Sequence, residues 1–110
     1  MITCNQLNTL LVAASETFGV SKEKIMQTRR HRCVISRQTI MKYLCDNTKM
    51  SLSEIGKVIG NKDHATVLHA RRTIEGFLEV DKKYKKDYSR FCDFVKKINQ
   101  NLELESSVIE

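Results

Sequence analysis

Residues 60–75 read Gly60-Asn61-Lys62-Asp63-His64-Ala65-Thr66-Val67-Leu68-His69-Ala70-Arg71-Arg72-Thr73-Ile74-Glu75. Asp63 can accept from the first free amides of a helix, and Val67, Ala70, Ile74 and Leu78 then recur at three- and four-residue intervals as its inner face. Helical phase places Ala65, His69 and Arg72 on the opposite stripe, with Thr66 and Thr73 beside it and Asp63 and His64 at the exposed first turn. Just upstream, Ser51-x-x-Glu54 is a capping box that opens a helix with Ile55, Val58 and Ile59 on one apolar edge, and Gly60 ends it. Helix, glycine-containing turn, helix is the arrangement of a helix-turn-helix.

Working outward, Thr3-x-x-Gln6 predicts a capping box for a first helix carrying Leu7, Leu11, Ala14 and Phe18, stopped by Gly19. Ser21 is expected to cap a short second helix containing Ile25 and Met26, followed by a basic loop from Thr28 to Cys33. A third helix is expected from about Ser36 to Thr48, burying Ile40, Met41, Leu44 and Cys45. Downstream, Gly76 is expected to weaken the helix that Asp63 opens. Asp81 then caps a long last helix in which Tyr84, Tyr88, Phe91, Val95, Ile98 and Leu102 form a core stripe; no exposed strand or loop presents these aromatics as a stacking platform. The acidic tail from Glu103 to Glu110, within the terminal segment 101–110, is expected to fray.

Composition agrees with one all-α domain over residues 1–100. The chain has 110 residues, 41% apolar content, 4 Gly and no Pro, which favours helices with short joints over an all-β fold. Its net charge of +6 is unevenly spread: residues 22–72 carry twelve Lys/Arg against four acids, the rest seven against nine. Such a concentration suits the neutralisation of phosphates. Cys4, Cys33, Cys45 and Cys92 form no Cys-x-x-Cys pair, so reduced cysteines in a cytoplasmic protein are expected, with no membrane association.

The run from Gly60 to Glu75 resembles the signature of the C-terminal, origin-binding domain of the bacterial replication initiator DnaA. Gly60, Asp63, His64, Thr66, Val67, Leu68, His69, Ala70, Ile74 and Glu75 stand in register with it. Arg29-Arg30-His31-Arg32, Ile40, Tyr43, Leu44 and Ser51-Leu52-Ser53-Glu54-Ile55-Gly56 extend the likeness, which covers about Leu7 to Ile98. It implies a helix-turn-helix of the Trp-repressor-like, DnaA C-terminal type with an added long C-terminal helix. It also implies double-stranded DNA as partner, at DnaA-box-like sites, in replication or transcription regulation. No Gly-x-x-x-x-Gly-Lys-Ser/Thr phosphate loop is present, so neither ATP chemistry nor a cofactor is expected.

Asp63, His64, Ala65, Thr66 and His69 are the expected base-reading set. Asp63 can accept from a cytosine amino group, His64 can bond to a base edge, and the Ala65 methyl can touch a thymine methyl. Arg29, Arg30, Arg32, Arg37, Lys62 and Arg72 are expected on phosphates or in the minor groove. Two departures from the family pattern stand out. Ala65 replaces a threonine, and an ungapped alignment of the family's Arg-Pro-Arg-Gln run on Ser36-Arg37-Gln38-Thr39 puts its minor-groove arginine on Ser36, leaving Arg37 or Arg32 as the substitute. Enzyme chemistry is not expected: Cys33 near His31 lacks an orienting group, and His64 and His69 diverge in helical phase and cannot share a metal. The rival reading is a protein-interaction module binding replication-initiation proteins with DNA contact secondary. On DNA, a monomer associated with the nucleoid is expected.

Overall fold

Five α-helices account for nearly all of the chain: α1 (Cys4–Phe18), α2 (His31–Asn47), α3 (Leu52–Val58), α4 (His64–Val80) and α5 (Lys82–Ile109), with a short 3-10 helix at Lys22–Lys24. The computed structural model describes residues 4–27 and 29–109, with side chains from Asn5 to Asn99 except Thr28. No strand occurs among these residues. The expected cap at Thr3 lies outside them.

α2 is the central strut. α3 and α4 pack against it, as does α1, and α1 lies in turn against α5. Leu10, Ala13 and Ala14 from α1, Ile40, Met41 and Leu44 from α2, and Ile55 and Ile59 from the α3 region meet in one core, joined by Val67, Ala70, Phe91 and Val95. On α5 the aromatic stripe points inward as expected, with Tyr84 and Phe91 buried and Tyr88 half-buried. The Tyr43 and Phe91 rings meet edge to face at 5.6 Å, and Tyr84 stacks on Phe18 at 6.2 Å.

Four polar side chains are buried in this core, and each hydroxyl is satisfied by the carbonyl one turn back. Thr9 donates to Asn5, Thr17 to Ala13, Ser36 to Arg32 and Thr39 to Ile35, all at 2.7–2.9 Å. Thr39 also meets the Tyr84 hydroxyl at 2.5 Å, which ties α2 to α5. Burial pushes the Tyr84 phenol up to about 12, so it stays protonated and available to that bond.

Several boundaries differ from the sequence reading. α2 starts at His31, not near Ser36, and Arg29 to Cys33 therefore enter or belong to a helix where a loop through Cys33 was expected. Arg30 is extended at its N-cap, and its carbonyl accepts from the Val34 amide at 2.9 Å. The buried face at this end is Cys33, Ser36 and Thr39, small and partly polar residues that conceal helical periodicity. The second helix is only one 3-10 turn, because the Ser21 hydroxyl donates to the Glu23 carboxylate and caps no amide. Gly76 does not interrupt α4, which continues to Val80, and α5 runs on to Ile109 through the segment expected to fray.

Candidate nucleic-acid interface

The turn between α3 and α4 is fixed by local chemistry. Ser51 accepts from the Glu54 amide at 3.1 Å while Glu54 accepts from the Ser51 amide at 3.0 Å, the reciprocal pair that starts α3. That hydrogen bonding holds the exposed Glu54 carboxyl below the usual carboxylate range. At the other end Gly60 and Asn61 both adopt left-handed conformations, with φ of 77° and 54°. The chain then folds back so tightly that the Lys62 amide donates to the Gly56 carbonyl at 2.7 Å. A Cβ on Gly56 would overlap the Lys62 carbonyl oxygen, so only glycine fits where the two helices cross.

This turn delivers Asp63 as the N-cap of α4. Its Oδ1 accepts from the Thr66 amide and from the Thr66 hydroxyl, both at 2.8 Å. The Thr66 amide, with the hydroxyl and the neighbouring His64 adding to it, keeps the Asp63 carboxyl ionised below its ordinary range. Burial follows the expected phase: Val67, Ala70 and Ile74 are buried, whereas Asp63, His64, Ala65, Thr66, His69 and Arg72 are all exposed. All five expected base readers are exposed over the first two turns: Ala65 and His69 share the stripe opposite the buried residues, Thr66 flanks it, and Asp63 and His64 stand at the N-terminal end. Thr66 has a further duty that the sequence did not reveal, since its hydroxyl is turned back onto Asp63.

The cations divide into two groups. Lys62 stands exposed beside Asp63, and with Ser53, Lys57, Asn61 and His64 it lines a shallow cleft at the mouth of the turn. Lys57 was missed by sequence reasoning, although its place in the last turn of α3 was readable. Arg29, Arg30 and Arg32 are exposed around the start of α2, whose N-cap Arg30 offers no side-chain acceptor. Uncapped first-turn amides together with these guanidinium groups form a favourable site for a phosphate. His31, exposed in the same turn, is a second residue that the loop assignment overlooked.

Arg37 is placed differently from the rest. Its Nη1 donates to the Ile25 carbonyl at 2.8 Å, and its aliphatic stem faces Gly60. It thereby braces the helix-turn-helix turn against the segment after the 3-10 helix. Ser36 is 0% exposed and cannot stand where a minor-groove arginine would. Setting the family's Arg-Gln on Arg37-Gln38, one residue from the ungapped expectation, resolves this: the proline falls on Ser36 and the first arginine on half-buried Ile35.

α4 is further held to α2 and to itself by ions. Arg71 pairs with Glu75 at 3.1 Å, and Lys42 reaches both Asp46 at 2.6 Å and Glu75 at 4.0 Å. No group of three His, Cys, Asp or Glu side chains suited to a metal occurs among the described residues. Nor is any helix among them long and apolar enough to cross a membrane. Cys33, Cys45 and Cys92 are free thiols.

Comparison with known proteins bears directly on this geometry. Residues 8–74 match the family model described as the bacterial DnaA protein helix-turn-helix, from within α1 to the middle of α4. The chromosomal replication initiator protein DnaA of Bacteroides thetaiotaomicron is 40% identical over 92 residues, 83% of this chain and 20% of that protein. The protein of the same name from Bacteroides fragilis is 45% identical over 73 residues, 66% and 15% respectively. That from Flavobacterium psychrophilum is 42% identical over 91 residues, 82% and 18%. The chain thus spans about a fifth or less of the length of these relatives.

Proposed function

Because the chain belongs to the bacterial DnaA helix-turn-helix family, we propose that it binds double-stranded DNA at DnaA-box-like sequences and regulates replication initiation or transcription. The observation that carries this reading is the exposed set Asp63, His64, Ala65 and Thr66 at the start of α4, presented by a turn that closes tightly on Gly56. In the major groove the free Asp63 oxygen accepts from a base amino group, His64 meets a base edge and the Ala65 methyl rests against a thymine methyl. His69 and Arg72 follow one and two turns later along the groove wall. Lys62, with Arg29, Arg30 and Arg32 around the start of α2, takes phosphates and sets the register.

The protein acts by occupancy, without catalysis or a cofactor, as a monomer on its site and within reach of replication-initiation proteins. A pure protein-docking role has less support: among the described residues Val80 is the sole large hydrophobic side chain that is strongly exposed, and one valine is no apolar patch. Selection of bound duplexes from a random pool tests the proposal. A recurring motif is expected, with its recovery dependent on Asp63 and His64. Recovery of no motif, with all duplexes bound alike, would overturn sequence-dependent recognition.

A further inference from the structure

Outside residues 8–74, which the family model matches, α5 carries a second charged surface. Six lysines and Arg90 lie between Lys82 and Lys97 against two acids, Asp87 and Asp93. These seven are all the basic residues of the chain outside residues 22–72. Tyr84, Phe91 and Val95 bury one face of the helix, and all six lysines are exposed on the remaining surface, with Lys82, Lys86 and Lys97 directly opposite. Among the described residues none of the six forms an ion pair; only Arg90 does, with Asp87 at 3.7 Å. The charge extends over 16 residues, or about 24 Å of helix.

The chemistry of this face selects its occupant. Its apolar side is already committed to the protein core, so it has nothing to insert into a membrane. Its aromatic rings are buried or half-buried and offer no platform for stacking unpaired bases. It shows no exposed aromatic anchor of the kind that dominates protein interfaces, and its one arginine, Arg90, is engaged with Asp87. Two clusters of unpaired ammonium groups, Lys82 to Lys86 and Lys96 with Lys97, along one helix match the phosphates of a duplex, which carries one for roughly every 1.7 Å of its axis.

Direction decides which duplex. Around α2, Lys42 reaches towards Glu75 on α4, whereas Thr39 and Tyr43 touch Tyr84 and Phe91 on α5. At 100° per residue these two faces of α2 are roughly a quarter turn apart. The outer surfaces of α4 and α5 therefore face away from α2 in directions about a quarter turn apart, so the lysines do not share the face that carries His69 and Arg72. We propose that the exposed lysine face of α5 holds a second DNA duplex by its phosphates, so that one molecule bridges two DNA segments. The first of these contacts rests on the reading of α4 given above; the second does not.

The test uses two duplexes in sequence. The full chain is loaded on a bead-bound duplex, washed, and offered a fluorescent duplex of unrelated sequence at low salt. The parent chain is expected to recruit it. A Lys82→Gln, Lys86→Gln, Lys96→Gln, Lys97→Gln variant is expected to load equally on the beads, melt at the same temperature and recruit at least about tenfold less second duplex. Recruitment that survives the four substitutions would mean bridging through paired protein molecules and would overturn the proposal. So would a parent chain that loads on the beads yet recruits nothing, or one that captures polyglutamate in preference to duplex. A parent chain that loads on no duplex at all would overturn the α4 reading as well, which keeps the two failures distinguishable.

Discussion

Asp63 commits one of its two carboxylate oxygens to the start of α4. Oδ1 is occupied by the Thr66 amide and hydroxyl, while Oδ2 has no partner among the described residues. Asparagine caps helices nearly as well as aspartate does, so Asp63→Asn should lower the melting temperature only slightly, through the lost charge, but its amide nitrogen would turn a donor towards the base in place of an acceptor. We expect it to lower affinity for the selected site by roughly tenfold or more with random duplex unaffected, measured by competition in fluorescence anisotropy. Asp63→Ala should lose both the preference and thermal stability. Equal loss on selected and random DNA with Asp63→Asn would reduce the residue to a cap. Ser36 and Ile35 allow an equally direct comparison. Ser36→Arg would place a guanidinium in a fully packed site and should destabilise the fold by about 1–3 kcal/mol or more in a chemical melt. Ile35→Arg, at a half-exposed position, should instead fold normally and tighten binding on duplexes with a narrow A·T-rich flank. No flank dependence for Ile35→Arg would mean that this edge of α2 stays clear of the minor groove.

The two glycines of the α3–α4 unit that sit within helices should respond in opposite directions. Gly56→Ala drives a methyl into the Lys62 carbonyl and should cost about 1–3 kcal/mol while displacing the turn. Gly76 has open space around it, so Gly76→Ala should stabilise α4 by about 0.5–1 kcal/mol. Denaturant melts of both variants give the signs. Acid should also act first on this unit. Glu54 and Asp63 have folded-state values below their unfolded ones, so their stabilisation is complete above the ordinary carboxylate range and is lost as pH falls through it. Amide exchange at acid pH is therefore expected to rise earlier in the first turns of α3 and α4 than in the core of α2. The same elements were the ones most legible in the sequence, because their signals are local: a capping box, a glycine, a capping carboxylate and an apolar period. The start of α2 was hidden, since its inner face is built from Cys33, Ser36 and Thr39, whose burial depends on back-bonded hydroxyls and on Tyr84 from the far end of the chain. The bracing role of Arg37 was hidden for a related reason: nothing nearby in sequence announces the Ile25 carbonyl that it holds.

Over the whole molecule, charge sets how binding responds to solution conditions. If five to eight basic side chains of the reading face meet phosphates, the log–log dependence of affinity on salt should have a slope of about −5 to −7. Anisotropy titrations on one short duplex across a salt series would give it, and a slope near zero would remove phosphate contact from the account. The α5 charge was present in the sequence but invisible in a sum taken over everything outside residues 22–72, where flanking acids cancel it. A thermodynamic consequence follows from the turn that closes on Gly56 and passes through left-handed Gly60 and Asn61. The backbone of this unit is already ordered in the folded protein, so docking is expected to consume little backbone entropy, with side-chain ordering as the main conformational cost. Calorimetry on a short duplex should therefore show a heat-capacity change far smaller than that of a segment folding as it binds.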